Sequence, residues 1–464
     1  MSSQVYLNPV RLSILTVPRD KVWLFSSSIL KLLHEASKNT TEGYENASES
    51  GHSQSESDDY DISSTSSSED EETEHLMTQS HFSNGSGSKR NLGTKLAGSS
   101  KFDNSSKHDS LSISTDSFGE SSTPKHNDSL KRHESDASIE DYDEEDDYFF
   151  HVAFTPSECT VICSKEACRS YFEQPLAVCH QLGYDDVMVL SESYLNLLID
   201  TEGEFNNSER ILELTRPLSA HKISLFFLSS HFTDIVLIPY HLKDQVVRIL
   251  TKKNFEFSIL SKSYLVNPNI SNDTDSPDSP RETTSELEDN TLKLFRDAQI
   301  RPQINKKVRL LLTGARPGQV KHSISKAAQC ISSGEVPEYF AITRTSLNEI
   351  SLILPGSGRQ RSAMGFDYRS IIGSALDTIV PISLDLKKLP LDSTGIVAGL
   401  ASRLLSSIKS VPEAMGSFEM SYLSMARSAI LMIPRENLSV VSKMIKNMRN
   451  ASEDTHKQFS DLLL

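Results

Sequence analysis

The sequence predicts an α+β chain of four βαββαβ units in two duplicated halves, with a long disordered insert in the first unit. Three observations carry that prediction. Arg216–Pro239 (RPLSAHKISLFFLSSHFTDIVLIP) holds a helix end, the apolar run Ile223–Leu228, a polar turn at Ser229–Thr233 and a second apolar run, Asp234–Pro239. Two β-branched or aromatic runs joined by a short polar turn make an antiparallel hairpin. Amphipathic helices on either side make that hairpin the middle of a βαββαβ unit. Secondly, Leu228-Ser229 and Ile238-Pro239 reappear 195 positions later as Leu423-Ser424 and Ile433-Pro434. Thirdly, YFFHVAFTPSECTVIC (Tyr148–Cys163) aligns without gaps on YFAITRTSLNEISLIL (Tyr339–Leu354), 191 positions on, with Glu158/Glu349 and Ile162/Ile353 among the identities. Two echoes at nearly the same offset point to a duplicated half.

The elements follow in order. Val10–Val17 alternates like a strand, and Val22–Glu35 places Trp23, Leu30, Leu33 and His34 at the spacing of one helix face. From 38 to 147 Ser, Asp, Glu, Asn and Gly dominate, and runs such as SSSEDEE (Ser66–Glu72) cannot build a core. This is the expected insert, which splits a first domain of 1–37 and 148–183. Its acidic-flanked serines, Ser68 and Ser135, are candidate phosphorylation sites. YFFHVAF and TVICS then form a hairpin closed by Thr155–Glu158. A second domain (184–264) is expected to run from VMVLS near Asp186 through a helix at Glu209–His221, the opening hairpin, a helix at Leu242–Lys253 and a strand at Phe255–Leu260. Residues 265–299, with Ser-Pro steps at Ser276 and Ser279, read as a disordered linker. A third domain (300–376) begins with the strand Val308–Leu312 and a helix after Pro317-Gly318. A fourth (377–450) is built on Val380–Lys446, and 451–464 is a tail.

Charge is unevenly placed. The chain carries a formal −16, yet 38–147 alone holds 26 acidic and 9 basic side chains. The rest is close to neutral and lacks a Lys/Arg-dense stripe, which argues against nucleic acid as a partner. Five cysteines suit a reducing compartment. Cys159, Cys163, Cys168 and Cys179, with His180, contain no Cys-x-x-Cys pair, so they read as small buried apolar residues and no metal or cofactor is expected. Arg11 and Pro18 interrupt the only N-terminal apolar run, so no signal peptide is expected. No apolar stretch nears the ~20 residues that span a bilayer. The expectation is a soluble, cytosolic protein without membrane insertion.

The most chemically specific stretch is Leu391–Ala401 (LDSTGIVAGLA). A strand, Val380–Leu384, runs into it and a helix starts within it. Ser393 or Thr394 can cap that helix, and Gly395 allows a close backbone approach. The free N–H groups of the first turn favour a carboxylate, and Ala398 and Ala401 allow tight packing. The plainer reading is a capped helix whose small residues serve packing alone.

The pattern Asp392-x-x-Gly395-Ile396-Val397-Ala398-x-Leu400-Ala401 resembles the signature of ACT domains, βαββαβ modules that bind amino acids at domain interfaces. Less its insert and linker, the chain resembles the CASTOR (GATS-like) family of cytosolic arginine sensors with four tandem ACT domains, and looks like a fungal-type member. Arg11–Leu33, Pro217-Leu218, His221, Ser224, Thr233-Asp234, Ile238 and Gly395–Ala398 carry the resemblance, in order, over about two-thirds of the residues. It implies a free amino acid, arginine or another, held between the second and fourth domains. One wall would be Ser224 and Leu225, the other Ser393, Thr394, Gly395, Ile396 and Val397, with Ser428 on the last strand. The family's aspartate opening that strand is matched by Ala429, and the glycine before its loop by Pro390. Losing such a carboxylate removes a charge-assisted hydrogen bond worth about 1.5–3 kcal/mol. The resemblance also implies that the turn His231, Phe232, Thr233 and Asp234 contacts a GATOR-type complex upstream of TOR kinase; otherwise it is an ordinary solvated turn. A homodimer is the other assembly expected.

Nothing suggests an enzyme: the chain has no nucleophile elbow, no GxxxxGK[ST], no HExxH and no strongly patterned carboxylate pair. His221 reads as a cation at a helix C-terminus, and Gly356–Gly365 as a flexible loop. Three functions fit: an amino-acid sensor regulating a signalling complex, a ligand-free scaffold controlled by phosphorylation of its insert, or a regulatory subunit of an amino-acid biosynthetic enzyme.

Overall fold

The first strand, β1 (Gln4–Pro18), fixes the plan because its two ends serve different units. The computed structural model describes residues 4–38, 149–199, 207–259, 283–374, 376–409 and 418–446. The predicted insert beyond Lys38 and the tail 451–464 lie outside the described residues, as do Ser68, Ser135, Ser276 and Ser279. All described residues belong to one compact unit made of residues 1–45 and 140–464.

After β1 come a 3-10 turn (Arg19–Phe25), α1 (Ser26–Lys38), β2 (Phe150–Phe154), β3 (Glu158–Ser164), α2 (Lys165–Gln181) and β4 (Met188–Val189). The C-terminal end of β1 pairs with β3 from Leu12↔Ser164 to Pro18↔Glu158, and with β4 at Leu15 and Thr16. Strand β4 therefore completes the first unit, although its sequence, VMVLS, was expected to open the second. The second unit opens instead on β5 (Tyr194–Ile199) and continues through α3 (Asn207–Ala220), β6 (Phe226–Ser229), β7 (Asp234–Pro239), α4 (Lys243–Thr251) and β8 (Glu256–Ile259). The N-terminal end of β1 inserts between its outer strands, antiparallel to β5 and parallel to β8.

The second half comprises α5 (Thr284–Asp297), β9 (Gln303–Ile304), β10 (Leu310–Gly314), α6 (Val320–Ser333), β11 (Phe340–Ser346), β12 (Glu349–Pro355), α7 (Gly358–Ala363), β13 (Ile379–Asp385), α8 (Ile396–Lys409), β14 (Ser421–Ser424), β15 (Ser428–Pro434) and a last helix, α9, at 438–446. Helix α5 corrects the linker expected over 265–299. Thr283 and Glu286 form a reciprocal capping box, and Leu287 and Phe295 are buried; a capped helix with an apolar face is ordered by packing. Helix α7 corrects the loop expected at Gly356–Gly365. Arg361 is buried there and donates to the carbonyls of Pro355 and Gly356.

Strand order runs β10-β12-β11-β2-β3-β1-β5-β7-β6-β14-β15-β13-β9, and the path closes through Leu310↔Ile379 between β10 and β13. Units one and three join along β2 and β11, and units two and four along β6 and β14. Outer faces pack under helices in two cores, one containing Val17, Phe25 and Phe340, the other Leu197, Val236 and Leu400. Inner faces from all four units meet in a third core that includes Leu12, Ala153, Leu228, Leu310 and Ile430. Strands buried on both faces explain why DIVLIP and SAILMIP read as continuous apolar runs.

The two sequence echoes turn out to be the strands that join the halves. Leu228 pairs with Leu423, and around that point Phe227 N donates to Ser424 Oγ (2.9 Å) while Tyr422 N donates to Ser229 Oγ (3.0 Å). The two bonds are equivalent under the 195-residue shift. Each hairpin turn also docks on the other half: His231 N donates to Ser351 Oγ, and the equivalent Ala426 N donates to Thr160 Oγ1.

Candidate functional site

The loop between β13 and α8 is anchored at both ends by other elements. Leu386 N donates to Arg427 O, next to β15, and Leu389 N closes a turn onto Leu386 O. Ser393 does not cap α8 as expected; its Oγ and N both donate back to Pro390 O. Gly395 has φ +83°, and a Cβ there would lie 2.9 Å from Ser219 Oγ on α3, so the position needs glycine both for backbone conformation and for space. From α5, Thr291 Oγ1 donates to Gly395 O (3.2 Å), and at Gly399 a Cβ would meet that same oxygen at 1.9 Å. Helices α3 and α5 thus hold the start of α8 in place. Ala398 and Ala401 are buried as expected.

Between this loop and α3 lies a cavity of about 70 Å3, room for roughly five water-sized bodies. Seven of the eight expected ligand-binding residues line it: Leu225, Ser393, Thr394, Gly395, Ile396, Val397 and Ser428. Ser224 is half-buried and stands outside the lining. Missed by sequence reasoning are Thr215 and Ser219, one helical turn apart on α3, and Tyr422 and Ser424 on β14. The i, i+4 spacing of Thr215 and Ser219 was a readable signal; Tyr422 and Ser424 reach the site only through the β6–β14 pairing. Burial pushes the Tyr422 phenol well above its ordinary range, keeping it protonated.

Among the described residues no charged side chain lines the cavity. Its polar features are hydroxyls and the first-turn amides of α8, which lack intrahelical acceptors and carry the positive end of the helix dipole. One step behind the wall, Ser428 Oγ donates to the buried carboxylate of Glu158. A wider cleft of about 950 Å3 on the third unit, bordered by Lys307, Arg309, Glu335 and Glu338, gathers none of the expected residues.

Asp234 and Ala429 occupy equivalent places, opposite Ser229 and Ser424. Asp234 is buried and pairs with Arg210 of α3 at 2.8 Å. Burial raises its carboxyl, opposed by Arg210 and then by Ser229. The turn before it is not freely solvated. His231 and Phe232 lie against Gly314 of β10, where a Cβ would come within 2.7 Å of either ring, and burial lowers the His231 imidazole. Thr233 is half-buried. His221 Nδ1 lies 2.7 Å from Pro217 O, one turn back on α3. Cys159, Cys163, Cys168 and Cys179 are buried as expected, and Cys330 is buried too. Among the described residues no helix is long and apolar enough to cross a membrane.

The ACT-domain family profile matches residues 189–252, which hold β5 through α4. The chain therefore contains an ACT domain, and such a domain points to a regulatory, amino-acid-binding role. No curated protein matches the chain. Among solved structures it is similar to protein Atu0741 from Agobacterium tumefaciens, at 12% identity over 25% of this chain and 90% of that one, with a TM-score of 0.19. It is also similar to the aspartate kinase from Synechocystis, at 9% identity over 65% of this chain and 49% of that one, with a TM-score of 0.22. The chain thus spans about half the length of that kinase.

Proposed function

We propose that this protein is a non-catalytic amino-acid sensor of four tandem ACT domains, related to the CASTOR family, that acts in nutrient signalling to TOR kinase through a GATOR-type complex. The supporting observation is the cavity that brings Leu225, within the matched ACT domain, against Gly395–Val397 of the fourth unit. The ligand's carboxylate is bound by the amides opening α8, and its other end faces the hydroxyls of the opposite wall. Bound between two units, the ligand favours the arrangement in which both walls contact it, by no more than its differential affinity. The turn at His231–Asp234, half-buried at its first three residues where it docks the second unit on the third, is the proposed contact with the complex in the cytosol.

The lack of a charged lining residue among the described residues, with Ala429 in place of a carboxylate, favours one second reading: a scaffold without ligand, controlled through the insert. Differential scanning fluorimetry against the twenty amino acids separates the two. A ligand at 100 times its Kd stabilises the folded state by about 2.7 kcal/mol, so a sensor shows a clear upward shift with one or a few of them. No shift with any at millimolar concentration supports the scaffold. Affinity purification that recovers a biosynthetic enzyme in place of TOR-pathway proteins would contradict both.

A further inference from the structure

Glu158 is far from the loop in sequence and in another unit, yet it ends one side chain away from the cavity. It is 2% exposed. Its Oε2 accepts from Thr16 Oγ1 (2.9 Å) and from Arg427 N (3.3 Å), and its Oε1 from Ser428 Oγ (2.5 Å). No basic side chain pairs with it among the described residues. A buried carboxylate surrounded only by neutral donors is costly unless a cation completes the site.

The equivalent place in the other half is built differently. Glu349 accepts from Thr345 Oγ1 within its own hairpin, and Thr233 Oγ1, the counterpart of Ser428, is buried without a partner among the described residues. The carboxylate reaches across on the cavity side alone. It reaches there beside Ala429, which stands where the other copy keeps Asp234.

We propose that Glu158 is a positioning residue for ligand recognition: it accepts the hydrogen bond that the Ser428 hydroxyl donates, so that Ser428 Oγ faces the cavity as an acceptor for the ammonium group of a bound amino acid. A serine hydroxyl has one proton and two lone pairs. With its O–H directed at Glu158, the serine presents only lone pairs to the cavity, and the carboxylate behind strengthens the acceptor. The first unit, which does not line the cavity, thereby sets its preference for amines. The inference rests on the amino-acid-binding reading above.

The test uses the full chain and pairs each amino acid that binds with its deamino carboxylate, for example alanine with propionate. The wild type prefers the amino acid. E158Q and S428A lower amino-acid affinity about tenfold, equivalent to about 1.4 kcal/mol, and leave the deamino carboxylate unchanged; S428T, which keeps the hydroxyl, retains the preference. Unchanged preference in both E158Q and S428A overturns the proposal, and so does an equal loss for both ligands. Should E158Q not fold, the comparison of S428A with S428T decides alone. If no amino acid binds the wild type, the sensor reading fails, and this inference falls with it.

Discussion

Replacing Gly395 with alanine tests how the site is held. The residue sits at φ +83°, where an L side chain costs about 1–2 kcal/mol in backbone strain. The added Cβ would also stand 2.9 Å from Ser219 Oγ. Overpacking of a well-filled site costs about 1–3 kcal/mol, and the low end applies because a hydroxyl can rotate away. The total for G395A is about 2–3 kcal/mol, read as a lower urea midpoint by far-UV circular dichroism. The two contributions separate in an S219A background: Oγ is gone, so G395A there costs only the strain, about 1–2 kcal/mol. A double-mutant cycle then reports a coupling of about 1 kcal/mol. Equal costs in both backgrounds, or a cost below about 0.5 kcal/mol, would refute the close packing of this loop on α3.

Three further predictions follow from buried groups and the corrected linker. Removing Arg210 (R210A) leaves the buried Asp234 carboxylate unpaired and costs about 3–5 kcal/mol near neutral pH. Because burial already raises that carboxyl, the folded state holds its proton to higher pH, so R210A loses stability as pH rises and is least destabilised in acid. His151 is fully buried, and burial lowers its imidazole to about 3 from 6.5. Its depressed value makes a stability contribution present above 6.5 and lost as pH falls toward 3, on the order of 5 kcal/mol, which acid denaturation of H151Q should lack. In α5, T283A breaks the capping box and costs about 1 kcal/mol, with faster proteolytic cleavage near residue 284; unchanged cleavage would contradict an ordered α5.

Much of the plan could be read in the chain, because strand and helix periodicities and the two echoes are local. The echoes were informative for a reason the sequence alone did not reveal. Leu228-Ser229 and Leu423-Ser424 are alike because they bond to one another across the joint between halves. Of the elements misread, β4 and α5 have plain physical causes. VMVLS looks like a unit's opening strand, but β4 pairs backward onto β1, and pairing across some 170 residues has no local signal. The capping box of α5 was present in Thr283–Glu286, hidden by the polar composition before it. At the site, loop and strand residues were legible from their pattern and the family resemblance. The spacing of Thr215 and Ser219 was legible but passed over, whereas Tyr422 and Ser424 were not legible, since they arrive through the pairing of β6 with β14. Glu158 was visible as an identity between copies, but its reach to Ser428 depends on how the fourth unit's hairpin turn docks on the first.

The most direct measurement is a crystal structure of the full chain soaked with a mixture of amino acids. The account predicts one amino acid between Leu225 and Gly395, with its carboxylate on the amides of Ile396–Ala398 and its ammonium within hydrogen-bond distance of Ser428 Oγ. An empty cavity at millimolar concentration, or an amino acid bound elsewhere on the chain, would contradict it.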